Sequence, residues 1–283
     1  MNEVLPVKAK TPPRIEGDQF VRFNVSERSE HVLLMISFTM LVLTGLPQKF
    51  HGLPLASSLV LMLGGVDVVR FVHRVFATLF TLQAFYHLTY VVVGLARRSL
   101  QPSMVPELKD VVDAWHMLQY CLGLAHQEPA FGRFSYREKF EYWGVVLGAA
   151  IMVVTGVVLW FPTLATRFLP GELVPAAKEA HGGEALLAFL VIVIWHLYGV
   201  HLSPIRFPGD LTIFTGRISR KRMIEEHPLE YARLTGLVPG QLEEHADLPA
   251  VGDAPLLPAH YPAQGVEVPQ LRTHPDTEVG HGP

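Results

Sequence analysis

The fold is indicated most clearly by residues 181–203, HGGEALLAFLVIVIWHLYGVHLS. This stretch is long enough to cross a bilayer as a helix, which takes about 20 residues, and Glu184 is the only Asp, Glu, Lys or Arg in it. Three histidines, His181, His196 and His201, nevertheless lie within it. Ionisable residues inside a membrane span are costly and are functional by default. The stretch therefore predicts a membrane helix whose histidines have a chemical role.

Three further apolar segments have the length of a membrane span, at residues 30–47, 68–95 and 142–162. None of the four alternates between apolar and polar residues with a period of two. A backbone in lipid must satisfy its own hydrogen bonds, so helices are the expected structure. The sequence thus predicts an all-α fold, an integral membrane four-helix bundle.

The composition supports a lipid-facing surface and limits the possible chemistry. Only 17% of the 283 residues are charged, whereas soluble domains have about 25%. The net charge of −3 gives no reason to expect a nucleic-acid partner. Cys121 is the single cysteine, which excludes a disulfide framework, an iron–sulfur cluster bound by this chain alone and a CxxCH haem attachment. Fourteen histidines remain for metal chemistry.

Lysine and arginine are concentrated before the first span, between the second and third, and after the fourth. The positive-inside rule therefore predicts an inner-membrane protein with both termini in the cytoplasm. The polar N-terminal segment does not resemble a secretory signal. An amphipathic helix on the membrane surface is expected at residues 107–124. The predicted regions are a cytoplasmic segment 1–28, the membrane domain 29–205, a cytoplasmic helical extension 206–238 and a Pro/Gly-rich tail 239–283, either disordered or extended along a partner.

An internal repeat locates the chemistry. The order Thr-Gly, His, His-Leu occurs twice, as Thr44-Gly45, His73, His87-Leu88 and as Thr155-Gly156, His181, His196-Leu197. A parallel repeat of two helical hairpins places equivalent residues at the same depth in the membrane. The glycines would leave room for a porphyrin or for close helix packing.

The spacing of the repeated histidines predicts facing pairs. Fourteen residues separate His73 from His87, which is about 21 Å of helix and returns to within roughly 40° of the same face. His181 and His196 are one residue further apart and about 60° out of line. Two such helices present two histidine pairs, the arrangement of bis-histidine haem. Zinc is less suitable because no further ligand stands at i+3 or i+4.

Several longer motifs then indicate a family. They are YWG at residues 142–144, VTGVVLW, AHGG, WHLYG and the trailing TGRISRKRMIEEHPLEY. With these, the chain resembles the membrane cytochrome b subunits of formate dehydrogenases and nickel–iron hydrogenases from about residue 22 to 234, most strongly from 139. The resemblance implies two haem b groups, a quinone site near the cytoplasmic side, and partners that are other oxidoreductase subunits, a c-type cytochrome or an iron–sulfur subunit. The chain looks most similar to relatives that work with multihaem c-type cytochromes.

The resemblance and the repeat differ about the inner haem. The resemblance implies His73 and His181 as ligands of the outer haem, and His196 with His31 as ligands of the inner haem. The repeat instead nominates His87 opposite His196. Either there are two haems, with His31 or His87 opposite His196, or there are three, with His31, His87, His196 and His201 forming two pairs.

Polar residues near the spans are candidates for contacts with haem or quinone. The resemblance implies quinone contacts in the segment that contains Ser135, Arg137 and Glu138, although these residue types differ from those of the family. Arg28, Arg70 and Arg74 are candidates for haem propionates or for interfacial anchors.

The sequence has no nucleotide-binding loop, no nucleophile triad and no catalytic carboxylate pair. The predicted chemistry is therefore that of haem, which is one-electron transfer. The resemblance implies that the chain works as a subunit of a quinone-linked oxidoreductase complex. The alternative is a non-redox membrane transporter or scaffold whose histidines bind another ligand.

Overall fold

Four long helices form the body of the protein in a computed structural model that describes residues 18–204 and 206–236. They are α1 (Val25–Lys49), α3 (Val66–Ala96), α5 (Tyr136–Trp160) and α7 (Leu173–Leu190), whose helical path continues to Leu202. All four are long and apolar enough to cross a membrane, as predicted. The predicted tail, residues 239–283, lies outside the described residues.

Both α1 and α5 begin several residues before the predicted spans because polar caps extend them. The side chain of Asn24 accepts a hydrogen bond from the backbone of Glu27, and the side chain of Glu27 accepts one from Asn24. Ser135 and Glu138 form the same reciprocal capping box at the start of α5. Such boxes satisfy backbone donors that a helix start leaves free.

The fourth span changes its winding within the membrane. After Leu190 the chain is π-helical from Val191 to His196 and again from Tyr198 to Leu202. A π-helical turn accommodates an additional residue. This accounts for the extra residue between His181 and His196, and it reduces the angular offset that a regular helix would give.

Shorter elements connect the spans. They are the helices α2 (Pro54–Met62), α4 (Leu108–Cys121), α6 (Pro162–Ala165), α8 (Thr212–Thr215), α9 (Arg220–Glu226) and α10 (Pro228–Thr235), and the strands β1 (Gln19–Val21) and β2 (Arg217–Ser219). The predicted amphipathic helix corresponds to α4, which the ion pair Lys139–Asp110 fastens to α5 at 2.9 Å. Its location on a membrane surface stays a prediction.

The helices of each hairpin pack side by side, α1 with α3 and α5 with α7, and α1 also packs against α7. Apolar side chains such as Phe71, Phe85 and Ile194 point outward and are more than half exposed. In water such a surface would be unfavourable, but lipid solvates it. The bundle is therefore built with its apolar residues on the outside.

A small polar cap covers one end of the bundle, where α1 and α5 begin. We call this end the sheet end and the opposite end the far end. Strands β1 and β2 pair antiparallel, with Phe20 opposite Ile218, and add a minor sheet to the predicted all-α class. Phe20 packs with Tyr231 at 5.5 Å between ring centres. The extension after the fourth span is thus folded back onto the segment that precedes α1.

Candidate functional site

The first histidine pair joins α3 to α7 toward the far end. The rings of His73 and His181 lie 6.4 Å apart between centres. Each ring contacts a threonine of its own hairpin, since Thr44 Oγ1 lies 2.9 Å from His73 Nδ1 and Thr155 Oγ1 lies 2.9 Å from His181 Nδ1. The two hairpins therefore present their histidines in the same way.

These threonines fix which ring nitrogen is free. Thr44 Oγ1 donates to the carbonyl of Met40 at 2.6 Å, and Thr155 Oγ1 donates to that of Ile151 at 2.6 Å. A hydroxyl has one proton, so each threonine accepts from the Nδ1–H of its histidine. Nε2 is then unprotonated in both rings, which is the form that binds a metal ion.

Gly45 and Gly156 permit this contact. A Cβ atom on Gly45 would lie 3.1 Å from His73 Cε1, and one on Gly156 would lie 3.4 Å from His181 Cε1. The imidazoles thus pack directly over glycine backbone in both hairpins. The close-packing interpretation of these glycines explains their position.

The second pair joins α1 to the fourth span toward the sheet end. The rings of His31 and His196 lie 6.2 Å apart between centres. His196 Nδ1 donates to Glu141 Oε2 at 2.7 Å, which leaves Nε2 for a ligand. Among the described residues, the buried Nδ1 of His31 has no hydrogen-bond partner. Because an unpaired buried polar atom is costly, a group from outside the chain is expected at this ring.

The side chain of His87 makes its hydrogen bonds with residues other than His196. Its Nδ1 lies 2.7 Å from Glu30 Oε2, and its Nε2 lies 3.1 Å from the hydroxyl of Tyr142. In the neutral ring, Nδ1 donates to the carboxylate and Nε2 accepts from the phenol. Both nitrogens are therefore engaged within the protein, and the structure brings His31, not His87, to His196.

The repeat is more extensive than the Thr-Gly and histidine pattern. Helices α1 and α5 have the same length, and each position of α1 corresponds to the position 111 residues later in α5. Equivalent positions are Asn24 and Ser135, Glu27 and Glu138, Glu30 and Glu141, His31 and Tyr142, Thr44 and Thr155, and Gly45 and Gly156. The sequence reasoning missed Glu30, Glu141 and Tyr142, which this spacing would have revealed.

The remaining predicted residues lie apart from the two pairs. His201 packs on Gly209, where an added Cβ would lie 2.6 Å from His201 Nδ1. Arg28 donates to the carbonyl of Phe214 in α8. Arg70 is exposed, and Arg74 lies 5.3 Å from the ring centre of Trp160. Their assignment to propionates stays a prediction.

The side chains of the predicted quinone segment contact other residues of the protein. Ser135 and Glu138 bind each other in the capping box, and Glu138 Oε1 also lies 3.4 Å from Arg22 Nη2. Arg137 lies over Trp195, with its guanidinium 5.6 Å from the ring centre. These contacts account for the three side chains without a ligand, and their role at a quinone stays a prediction.

Both histidine pairs fit haem. Metal–imidazole bonds are about 2 Å long, so two imidazoles on one iron have nitrogens about 4 Å apart and ring centres roughly 6 Å apart. The observed 6.4 and 6.2 Å agree with this spacing. The described residues contain no cluster of three or more histidine, cysteine, aspartate or glutamate side chains suited to a bare metal ion. The donor set therefore fits an iron that already has a macrocycle.

Comparison with known proteins finds similarity to cytochrome b556 subunits of formate dehydrogenases. The chain is 22% identical over 219 residues to the cytochrome b556(Fdn) subunit of nitrate-inducible formate dehydrogenase from Escherichia coli K12, covering 77% of this chain and 93% of that protein. It is 24% identical over 183 residues to the formate dehydrogenase cytochrome b556 subunit of Haemophilus influenzae, covering 64% of this chain and 70% of that one. No family model matches the chain.

These relatives confirm the predicted resemblance to the cytochrome b subunits of formate dehydrogenases. With four apolar helices, they also support a multi-pass membrane protein. The resemblance to hydrogenase cytochromes, and to relatives that work with multihaem c-type cytochromes, stays a prediction.

Proposed function

Because the chain is a distant relative of formate dehydrogenase cytochrome b subunits, we propose that it is a membrane-bound b-type cytochrome that carries electrons along its bundle. The observation that carries this proposal is the presence of two facing imidazole pairs, His73 with His181 and His31 with His196, in one four-helix membrane bundle. Two haem b groups are proposed, one per pair. Each bound haem supplies one-electron oxidation and reduction.

The two pairs lie at different depths. Fifteen residues separate His181 from His196, which is about 22 Å of helix at ~1.5 Å per residue. This distance covers most of a hydrocarbon layer of about 30 Å. Histidines at these depths would hold two haems along the direction that crosses the membrane.

The chain's own residues position and tune these ligands. Thr44 and Thr155 hold His73 and His181 by accepting their Nδ1 protons. Glu141 does the same for His196 with a carboxylate. Groups that bind the outer nitrogen of a ligand histidine fix its orientation and its basicity.

We further propose that the chain is one subunit of a membrane oxidoreductase complex. The relatives are named as formate dehydrogenase subunits. The chain would exchange electrons with a quinone pool at the sheet end and with a partner c-type cytochrome or iron–sulfur subunit at the far end. Each quinol that is oxidised releases two electrons and two protons. The proposed orientation is in the cytoplasmic membrane, with the sheet end in the cytoplasm.

A spectrum tests the proposal against the non-redox alternative. The purified complex should give a dithionite-minus-oxidised α-band of b-type haem, and the pyridine haemochrome assay should give two haems per chain. A featureless spectrum would favour a transporter or scaffold. A ratio of three would require a further site that includes His87 or His201.

A further inference from the structure

A lysine at the far end of α1 lies against the helix that holds the outer histidine pair. Lys49 is the last residue of α1, and its side chain crosses to α7, where a Cβ atom added to Gly182 would lie 2.9 Å from Lys49 Nζ. Gly182 directly follows His181. We propose that the Lys49 ammonium binds a propionate of the outer haem and raises the reduction potential of that haem. This proposal rests on the haem groups of the proposed function and adds a residue to one of their sites.

The Lys49 side chain points into the bundle rather than out of it. Lysines near the ends of membrane spans usually extend toward the nearest membrane surface. Lys49 is one helical turn beyond Gly45, the residue of α1 on which His73 packs. Its ammonium nevertheless lies against the residue that follows His181, on the side of that histidine toward the sheet end. The positive charge is therefore held at the depth of the outer pair.

The charge of Lys49 is not balanced within the described part of the chain. There the ammonium has neither a hydrogen bond nor an ion pair. Glu184, the carboxylate of α7 closest to Gly182 in sequence, packs instead on Gly148 of α5. An unpaired ammonium inside a membrane bundle is costly. Because Lys49 is only half-buried, an anion from outside the chain can reach it.

A haem propionate has the chemistry that this position requires. Haem b has two propionates, which are carboxylates at neutral pH, and an ammonium binds a carboxylate through a charge-assisted hydrogen bond. The arginines predicted for propionates do not occupy this position, since Arg70 is exposed and Arg74 packs on Trp160. A lipid phosphate is the other source of an anion, but it belongs at the membrane surface and not at the depth of His181.

The charge of Lys49 would also favour the reduced haem. Reduction adds one negative charge to the iron and its macrocycle, and a cation held nearby in a medium of low dielectric constant stabilises that charge. At the inner pair, the carboxylate of Glu141 binds His196 instead. The two haems should therefore respond to opposite charges of the protein.

Redox titration of the whole complex tests the effect of the charge. Lys49→Met should make reduction of one haem about tenfold less favourable, which is about 59 mV for a one-electron couple, and Lys49→Arg should restore the unmodified value. Lys178→Met is the matched control, because Lys178 is an exposed lysine one turn before His181 on the same helix. Solvent and salt screen such a charge. If Lys49→Met shifts neither haem, or shifts one no more than the control does, the proposal is wrong.

A second titration identifies the haem that Lys49 affects. His31→Ala is expected to leave only the outer haem, so Lys49→Met should produce the same shift in that background. An unchanged potential there would place Lys49 at the inner haem and overturn the proposal.

Resonance Raman spectroscopy tests the contact itself. The bending band of a haem propionate moves with the hydrogen bonds that the propionate accepts, so Lys49→Met should shift this band and Lys49→Arg should shift it much less. In Gly182→Ala the new Cβ would displace the ammonium while the charge remains, so the band should move with a smaller change in potential. A band that stays unchanged in both Lys49→Met and Gly182→Ala would show a distant charge or a lipid-bound lysine, and would overturn the contact.

The unmodified protein separates this proposal from the proposed function. If its dithionite-minus-oxidised spectrum has no b-type band, the proposed function is wrong and Lys49 has no haem to bind. If two haems are present and the Lys49 variants match the control, only the role of Lys49 is wrong. A Lys49→Met protein that loses one haem while Lys49→Arg retains both would support the contact.

Discussion

The two hairpins of the bundle are alike toward the far end and different toward the sheet end. Toward the far end, Thr44 with His73 and Thr155 with His181 repeat the same contact at the same distance. Toward the sheet end, Glu30 binds His87 as Glu141 binds His196, but Tyr142 stands where the first hairpin has His31. The pair His73–His181 is therefore built from equivalent residues of the two hairpins. The pair His31–His196 forms because the first hairpin has a histidine where the second has Tyr142.

This difference would give a repeated structure the two proposed haem sites rather than three. The pair His73–His181 takes one histidine from each hairpin, so the repeat produces one site. At the sheet end the repeat produces two equivalent positions, His31–His196 and Tyr142–His87. Only the first has two imidazoles. A tyrosine at the second position turns a potential ligand pair into a hydrogen bond.

The largest difference between the two hairpins should appear when one histidine is removed from each inner position. We expect His31→Ala to lose one of two haems per chain, because His196 would have no opposite ligand. His87→Ala should retain both haems. Pyridine haemochrome analysis of purified protein measures the ratio. Loss of a haem from His87→Ala would show that His87 is a ligand.

Replacement of Tyr142 by histidine should make the two hairpins alike at the sheet end. In Tyr142→His, an imidazole would face His87, whose other nitrogen Glu30 already holds. We expect a third haem per chain by the same assay. Tyr90→His is the control, since Tyr90 stacks on Tyr86 and not on a histidine. A folded Tyr142→His protein that keeps two haems would contradict the equivalence of the two inner positions.

Hydropathy predicted the four spans because each is a long continuous apolar run. Spacing predicted the pair His73–His181 because the two hairpins repeat the same pattern. Hydropathy placed the start of the third span at 142, whereas α5 begins at Tyr136. The polar residues at this start are stabilised by a capping box and by Arg22, which lies far away in the chain. Such tertiary contacts are not visible to a hydropathy pattern.

The sequence left the choice of ligands at the inner site undecided for a different reason. His87 and His31 are both near the sheet end, and periodicity cannot tell which ring faces His196. The choice depends on Glu30 and Tyr142, which occupy both nitrogens of His87, and on the π-helical turns before His196. Neither the local winding nor a contact between helices can be read from residue types alone.

A smaller effect should distinguish the outer and inner pairs electronically. A carboxylate that accepts the Nδ1 proton gives the ligand more electron density than a threonine does and stabilises ferric iron. Glu141→Gln should therefore raise the reduction potential of one haem by about 60 mV, or ~1.4 kcal/mol for one electron. Redox titration measures this shift. The matched change Glu30→Gln acts on His87 and should leave both reduction potentials equal, within error, to those of the unmodified protein. Equal shifts in the two variants would show that Glu141 has no special effect on the inner haem.

The smallest expected effect concerns the part of the polar cap that contacts the segment before α5. His227 lies buried in this cap and hydrogen bonds the carbonyl of Gly132 at 2.9 Å. Burial, and then the positive charge of Arg22, lower the pKa of His227 below its ordinary value of 6.5, against the opposing effect of Glu138 and Glu226. Below about pH 6.5 the opened cap therefore binds a proton that the closed cap does not.

The closed cap should thus be fully stable above pH 6.5 and lose up to about 1.4 kcal/mol per pH unit as the pH falls toward the lowered pKa. Hydrogen exchange of α9 and α10 between pH 7.5 and 5.5, corrected for intrinsic rates, measures this loss. His227→Gln can still donate to Gly132 but does not titrate, so its protection should vary less with pH. Equal pH dependence in the two proteins would mean that His227 does not control the cap, and that the start of α5 is held by Arg22 and Glu138 alone.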